Sequence, residues 1–218
     1  MDVAKNSRSR KERECVKRLC KVLQRHPQIK KVSSDIRPSN SSILRKEWNA
    51  LTGGASLKLQ PQIDILIEAT QPKGIEKLIC GIEVKYFEKT KNRFNWSFYA
   101  GLDEAIATLN YGLHHAALWH VFFPTITKKE LRMYGLPFWG HIIKLNLPIE
   151  FTMLVDRESD FDVYNPVLIN GQREPEYLCK LSELDITFKR PNPIFNEPLQ
   201  IKLREILYAW WKKRDRFG

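Results

Sequence analysis

The sequence predicts an α/β fold: a central mixed β-sheet flanked by helices, with a C-terminal helical extension. Apolar runs of strand length alternate with stretches in which apolar residues recur at helical spacing, and this alternation is typical of the class. The chain has 218 residues, of which 43% are hydrophobic, enough to bury the core of one domain. We expect a core at 1–155, followed at 156–218 by an irregular segment and a C-terminal helix packed on the same domain.

The N-terminal half opens with a helix and continues into two strands. In residues 8–25, basic residues surround one apolar stripe, which consists of Val16, Leu19, Cys20 and Leu23. Residues 27–60 show no long pattern apart from a short helix near 46–51. Two mostly apolar runs follow at about 62–68 and 78–87, and the turn-forming residues between them predict two strands that lie side by side.

The second half continues the alternation up to a stretch without clear periodicity. Its predicted elements are a helix at 97–111, a strand at 116–123, a helix at 127–134, a strand at 151–155 and a last helix at 198–214. Ser97 is a suitable N-cap for the first of these helices, and Gly112 ends it. The last helix carries an apolar stripe of Leu199, Leu203, Ile206, Leu207 and Trp210. Residues 156–197 are acidic at first and then rich in Pro and Asn, which predicts irregular structure.

Composition excludes several classes of protein. No apolar run approaches the roughly 20 residues that span a bilayer, and the basic N-terminus lacks the apolar core of a secretory signal. The four cysteines show neither a CxxC pair nor zinc-binding spacing, so we expect reduced thiols. We therefore expect a cytoplasmic protein with no membrane partner and no small-molecule cofactor.

The positive charge is concentrated at the two ends of the chain. The formal net charge is +11, and residues 1–31 carry eleven basic residues against three acidic ones. Residues 200–218 carry six basic residues against two acidic ones, whereas the middle of the chain is nearly neutral. Such clustering favours a polyanion as partner, most simply the phosphate backbone of nucleic acid. The alternative is that the basic side chains only solvate two terminal helices.

Three charged residues interrupt the two apolar strands. Glu83 and Lys85 are two positions apart, so they project from the same face of their strand. Ile82 and Val84 then face the core. Asp64 lies on the preceding strand, and we expect the two carboxylates and the ammonium to meet at one point on the sheet.

This combination of side chains suits one kind of chemistry. Carboxylate oxygens are ligands that fit Mg²⁺ or Mn²⁺, and carboxylates held close together repel unless a cation bridges them. A lysine beside them can orient or deprotonate a water, or neutralise charge on a phosphate. The set predicts metal-assisted phosphodiester hydrolysis. The alternative is an edge-strand salt bridge between Glu83 and Lys85, with Asp64 in a turn.

The same residues resemble a known motif. The stretch PQID at 61–64, eighteen further residues and EVK at 83–85 are similar to the PD-(D/E)XK motif of the restriction-endonuclease-like nucleases. The resemblance covers about residues 8–123, in the order helix, strand, strand, helix, strand, and includes archaeal viral and Holliday-junction-resolvase-like members. It implies a restriction-endonuclease-like core. It also implies that Asp64 and Glu83 bind the metal, that the main-chain carbonyl of Val84 is a further ligand, and that Lys85 assists the attacking water.

A further ligand is expected from the first helix. Many nucleases that share this motif carry a glutamate there that reaches the metal. Glu12 is the candidate, because at about 100° per residue it points along the apolar stripe, whereas Glu14 falls on the opposite face. The alternative is that the first turn frays and leaves Glu12 in solvent.

Two groups of basic residues are candidates for nucleic-acid binding. The first follows the second motif strand, where aromatic residues are interleaved with Lys89, Lys91 and Arg93. The second lies at the end of the last helix and consists of Lys212, Lys213 and Arg214. The alternative for this second group is a plain, solvated helix end.

The expected assembly is a homodimer. One site holds one scissile phosphate, so cutting both strands of a duplex requires two reactions, and a symmetric pair of subunits supplies two sites. Trp211, Phe217 and the aromatic stretch at 133–139 offer apolar material for an interface. The alternative is that these side chains pack internally and that a monomer nicks one strand at a time.

We therefore expect a Mg²⁺-dependent or Mn²⁺-dependent endonuclease that acts on duplex or branched DNA. Three alternatives stay open: a nuclease fold that binds nucleic acid without cutting it, a subunit of a recombination or transposition complex with little activity alone, and an α/β enzyme unrelated to nucleic acid. The sequence does not distinguish DNA from RNA as substrate.

Overall fold

A computed structural model of the chain describes residues 10–54, 62–70, 78–90, 93–94, 99–169 and 172–214, with the backbone alone at 89–90 and 93–94. The helices are α1 (Arg10–Gln24), α2 (Ser42–Thr52), α3 (Leu102–Thr108), α4 (Lys128–Lys144) and α5 (Pro198–Arg214). The strands are β1 (Ile29–Ile36), β2 (Ile63–Ala69), β3 (Leu78–Phe87), β4 (Lys89–Thr90), β5 (Arg93–Phe94), β6 (His115–Phe122), β7 (Glu150–Asp156), β8 (Phe161–Ile169) and β9 (Gln172–Lys180).

Seven strands form one mixed sheet in the order β1-β2-β3-β6-β7-β8-β9. β1, β2 and β3 are antiparallel neighbours, β6 and β7 run parallel to β3, and β8 and β9 continue the sheet in antiparallel fashion. β4 and β5 form a separate two-stranded ribbon. α3 lies in the crossover between β3 and β6, as two parallel neighbours require. The predicted α/β class, with a mixed sheet flanked by helices and a C-terminal helix, is confirmed.

α1 covers one face of the sheet. Its predicted stripe is buried, as expected, at Val16, Leu19, Cys20 and Leu23. These residues pack in one cluster with alternate residues of the central strands, including Ile82 and Val84 of β3. Because side chains alternate along a strand, Glu83 and Lys85 point to the opposite face.

The remaining helices cover that opposite face. α2 and α5 pack over β1 and β2, with Trp48 and Leu203 among their buried residues. α3 and α4 cover β6 and its neighbours, and Ala105 and Phe138 are buried there. The charged face of β3 therefore lies beneath α3. Within the described ranges, no helix is both long and apolar enough to cross a bilayer.

The sequence does not predict three of the seven strands in the main sheet, nor the short strands β4 and β5. β1 is an edge strand whose residues are mostly half-buried. Its lysines and serines therefore do not alternate regularly with apolar residues, and the sequence lacks the pattern of a strand. β8 and β9 lie inside the segment predicted to be irregular, and for these residues that prediction is wrong. Pro166 and Pro175 face each other in this hairpin. They lie beyond the last β7–β8 pair, Met153 with Tyr164, so both strands are edge strands at that level, where proline is tolerated.

Three helices differ in length from the prediction. α2 spans Ser42–Thr52 rather than 46–51. α4 continues ten residues past the predicted end at 134, through Pro137. Pro137 is exposed, so solvent can satisfy the carbonyl that its ring leaves unpaired. The predicted cap Ser97 lies outside the described residues; α3 begins after Gly101 and ends in a short 3-10 turn. Gly112, at φ +74, terminates this turn as predicted.

The buried face of α5 differs from the predicted stripe at both ends of the helix, and Leu199 at its start is exposed. Trp211, not Trp210, continues the buried face. The Trp211 Nε1–H donates to Ser33 Oγ at 2.9 Å, and Lys31 Nζ lies 4.4 Å from the centroid of the indole ring. Trp211 therefore anchors α5 on β1 and cannot seal a subunit interface.

Candidate active site

Asp64 closes the end of the β2–β3 ladder with its side chain. The last backbone pair of this ladder joins Ile65 with Ile82. Asp64 and Glu83 come next, and opposite residues of an antiparallel pair point to the same side. Asp64 is only 3% exposed, and its Oδ2 accepts a hydrogen bond from the Val84 N–H at 3.0 Å. A buried carboxylate therefore meets β3 where the backbone ladder ends.

Glu83 and Lys85 form an ion pair on the same face of β3. Lys85 Nζ lies 2.8 Å from Glu83 Oε1, and the side chain of Glu83 is 3% exposed against 20% for Lys85. Burial lowers the pKa of Lys85, but attraction to Glu83 and hydrogen bonds to Glu104 and Glu83 outweigh it, so the pKa lies above its ordinary value. Lys85 is therefore a cation in this structure.

The structure brings the three predicted motif residues together. β3 lies between β2 and β6, so the Glu83–Lys85 pair is not on an edge strand. Asp64 is part of β2 and not of a turn. The alternative of an edge-strand salt bridge is therefore wrong about the edge strand and about the turn, whereas the ion pair between Glu83 and Lys85 that it also predicted is present. The chemical roles of the three residues remain predictions.

Glu12 approaches the same edge of β3 from α1. Its Oε2 lies 3.5 Å from the backbone nitrogen of Tyr86. Tyr86 is two residues after Val84, whose N–H donates a hydrogen bond to Asp64. A residue's N–H and C=O project from the same edge of a strand. The carbonyl of Val84 is therefore expected between the two carboxylates. Glu14 is exposed and pairs with Arg10 at 2.9 Å, so the predicted helical phase of the two glutamates agrees with the structure.

Glu104, which is not among the residues predicted from the sequence, is a fourth carboxylate at this point. It lies in the first turn of α3, and its Oε2 forms an ion pair with Lys85 Nζ. A signal for it exists in the sequence. In a crossover between parallel strands, the start of the helix lies near the C-terminal end of the first strand, so an acid in that turn can reach the EVK residues.

The backbone before α3 is pressed against Lys85. Gly101 adopts φ +81, and a Cβ there would lie 2.8 Å from Lys85 Cε and 2.9 Å from Leu118 Cδ1. Only glycine combines this backbone conformation with such a close approach. The backbone at Gly101 thus confines the methylenes of Lys85, and Glu104 binds its ammonium.

Gly101→Ala is expected to lower the free energy of unfolding by about 1–3 kcal/mol, because the positive φ is strained for alanine and the new methyl displaces Lys85. Urea unfolding measures the change. Gly140→Ala is the matched control: it lies in α4 with open space around a new Cβ, so we expect a gain of about 0.5–1 kcal/mol. A Gly101→Ala protein as stable as the original would show that α3 is not pressed on Lys85.

A buried histidine fixes the same segment. His120 of β6 pairs in register with Lys85 and is fully buried. Burial lowers its pKa to about 3, partly opposed by a hydrogen bond to Ala100, so the ring is neutral at pH 7. Its Nε2 lies 3.0 Å from the Ala100 carbonyl and must donate to it; Nδ1 then accepts from the Tyr134 hydroxyl at 3.2 Å. His120 holds the chain just before Gly101 and so supports the start of α3.

The structure describes the side chains of three of the six predicted nucleic-acid-binding residues. Lys212, Lys213 and Arg214 are exposed at the end of α5. There Lys212 Nζ lies 4.7 Å from the ring of Tyr208. Lys91 lies outside the described residues, and Lys89 and Arg93 are described by backbone only, as parts of β4 and β5.

The carboxylates do not form a closed ligand cluster. Within the part of the chain that the structure describes, no three His, Cys, Asp or Glu side chains are grouped as a ready metal site. Each carboxylate instead faces a nitrogen donor: Asp64 and Glu12 face backbone N–H groups, and Glu83 faces Lys85. The donor chemistry, carboxylates around a main-chain carbonyl at a strand edge, nevertheless fits a hard divalent cation.

Comparisons with models of protein families, with curated proteins and with solved structures found no match to this chain.

Proposed function

We propose that this protein is a divalent-metal-dependent endonuclease with a restriction-endonuclease-like core, which hydrolyses phosphodiester bonds of DNA inside the cell. The observation that carries the proposal is the convergence of Asp64 of β2 with Glu83 and Lys85 of β3 on one face of the sheet, where both carboxylates are buried and Lys85 is partly buried. Buried charges are costly, and a fold retains them where they have partners or a chemical use. Part of the element order also supports it, since β2 and β3 carry the acids and are followed by the crossover helix α3 and the parallel strand β6, as the resemblance implies. β1 and α2, which the resemblance does not include, lie between α1 and β2.

The proposed roles are based on the positions of these residues around β3. Asp64, Glu83, Glu12 and the carbonyl of Val84 would hold Mg²⁺ or Mn²⁺. When bound, such an ion lowers the pKa of water and stabilises charge on the phosphate. Lys85, a confined cation, would orient the attacking water or neutralise charge that develops on the phosphate oxygens.

The experiment is a cleavage assay of the purified protein on plasmid, branched DNA and RNA, with Mg²⁺, Mn²⁺ or EDTA. We expect nicked or linear DNA with either metal and none with EDTA. Binding of DNA without cleavage under any metal condition would contradict the proposal and favour the alternative of a nucleic-acid-binding subunit that requires partners. RNA cleavage without DNA cleavage would support the proposed metal-dependent hydrolysis but show that the substrate is RNA and not DNA.

Glu12→Gln is expected to slow cleavage about tenfold and to raise the Mn²⁺ concentration for half-maximal rate, because it removes one charged ligand beside Val84. A Mn²⁺ titration of the cleavage rate measures both effects. Glu14→Gln, two residues away on the exposed side of α1, is the control and should leave both values unchanged. Equal effects of the two substitutions would contradict the placement of Glu12.

DNA binding is expected to weaken steeply with salt, since Lys and Arg at both ends of the chain would displace counterions from phosphates. The combined change of Lys212, Lys213 and Arg214 to Gln should reduce the slope of log K against log salt by about 2–3, near 0.9 for each lost phosphate contact. Fluorescence anisotropy of a labelled duplex measures this slope. Lys128→Gln, which removes a charge that pairs with Glu176, is the control. A slope near zero for the unaltered protein would exclude the basic ends from the binding surface.

The homodimer remains a proposal, and the aromatic residues support it less than the sequence alone suggested. Trp211 is buried within the subunit, and Phe217 lies outside the described residues. In the stretch at 133–139, Tyr134 and Phe138 are buried and Met133 is exposed. Sedimentation equilibrium with and without DNA tests it, and the monomer mass of 25.6 kDa under both conditions would refute it.

A further inference from the structure

The ammonium of Lys85 is held by two carboxylates from two different elements. Glu83 belongs to the same strand, whereas Glu104 reaches Lys85 from the first turn of α3. The Glu104 side chain is 30% exposed and that of Glu83 is 3% exposed. The two carboxylates therefore differ in accessibility and in the element that carries them.

Under the proposed function, metal binding would weaken the contact of Lys85 with Glu83 more than its contact with Glu104. Glu83 would bind a divalent cation, and a carboxylate that neutralises a cation attracts a nearby ammonium less, while the two positive charges repel. The 2.8 Å contact between Glu83 and Lys85 would weaken under these conditions. Glu104 would then be the carboxylate that keeps the ammonium in place.

We propose that Glu104 is a positioning residue that holds the ammonium of Lys85 at the active site while Glu83 is engaged by the metal. The inference rests on the proposed function. It assigns Glu104 no contact with substrate or metal, because the described contact of its carboxylate is with Lys85.

The surroundings of Glu104 suit this role. The backbone before it is fixed by the bond from His120 to the Ala100 carbonyl and by the close approach of Gly101 to Lys85. Ala105, the next residue, is fully buried. Glu104 is thus presented from a segment with little freedom, and a pre-organised partner restrains Lys85 at low entropic cost. Asp103, its neighbour in the same turn, is exposed and supplies a matched control.

The first test needs neither metal nor substrate. Glu104→Gln should lower the melting temperature by about 2–4 °C in the otherwise unaltered protein and have no effect in a Lys85→Met background, because the partner is then absent. Asp103→Asn should have no effect in either background. Lys85→Gln replaces Lys85→Met if that variant does not fold. Equal shifts in melting temperature from Glu104→Gln in both backgrounds would show that Glu104 does not hold Lys85 and would overturn the inference.

The second test separates positioning from metal binding. With saturating Mg²⁺, Glu104→Gln should lower kcat for DNA cleavage about tenfold or more and leave KM within about threefold, and Glu104→Asp should recover part of the rate. The Mn²⁺ concentration for half-maximal rate should stay unchanged. A rise in that concentration would make Glu104 a ligand and overturn the inference, as would an unchanged kcat. If the unaltered protein cleaves nothing, the proposed function fails, and the melting experiment alone decides whether Glu104 holds Lys85.

Discussion

Glu83→Gln and Asp64→Asn are each expected to lower the rate of Mg²⁺-dependent DNA cleavage by about 10³-fold or more. Each substitution removes a charged ligand of the proposed metal, whose contribution to the transition state is several kcal/mol, and each 1.36 kcal/mol is about tenfold in rate. Asp64→Asn should keep the fold, because the amide oxygen can still accept from the Val84 N–H. Plasmid cleavage and thermal melting measure the two effects.

Glu68→Gln is the matched control for these variants. Glu68 is also a buried carboxylate of β2 and lies four residues after Asp64, on the same face of the strand. Unlike Asp64, it accepts a hydrogen bond from the Tyr208 hydroxyl at 2.8 Å. It should retain full cleavage. Undiminished cleavage by the Glu83→Gln protein would refute the active-site assignment, and equal losses at Glu68 and Glu83 would show that any buried charge change disrupts the sheet.

Trp211→Ala is expected to cause the largest loss of stability, about 3–5 kcal/mol in the free energy of unfolding. The indole is fully buried, and its removal leaves a cavity between α5 and β1. It also leaves Ser33 without the Nε1–H donor and Lys31 without the ring beneath its ammonium. Urea unfolding measures the loss.

Trp210→Ala provides the comparison within the same helix. Trp210 is partly exposed and packs only at the margin of the same cluster, so we expect a loss of about 1 kcal/mol or less. A greater loss at Trp210 than at Trp211 would restore the apolar stripe predicted from the sequence and contradict the packing of α5 described above.

Local periodicity was sufficient for much of the fold and for part of the candidate site. The burial of Val16 and Leu19 follows from helical spacing alone, and the shared face of Glu83 and Lys85 follows from the two-residue period of a strand. Periodicity failed where burial is incomplete. β1 and the β8–β9 hairpin lie at or near the sheet edges, where polar residues and prolines are tolerated and the sequence loses its alternating pattern.

The end of α5 shows a second limit. Trp210 and Trp211 are adjacent and equally apolar, so a stripe can pass through either of them. The choice depends on the rotation of α5 about its own axis, which is set by its packing with residues of α2, β1 and β2 and by the hydrogen bond from Trp211 to Ser33. No window of the sequence around residue 210 contains that information.

The sequence by itself determined the residues that carry the proposed chemistry, because the spacing of Glu83 and Lys85 and the charge of Asp64 inside an apolar run are local properties. Only the tertiary structure decided what surrounds Lys85. Glu104, Gly101 and His120 reach it because β6 lies parallel to β3 with His120 opposite Lys85, which brings the start of the crossover helix over the strand. Such contacts depend on strand order and register, which arise from the packing of the whole sheet and leave no periodic trace in the chain.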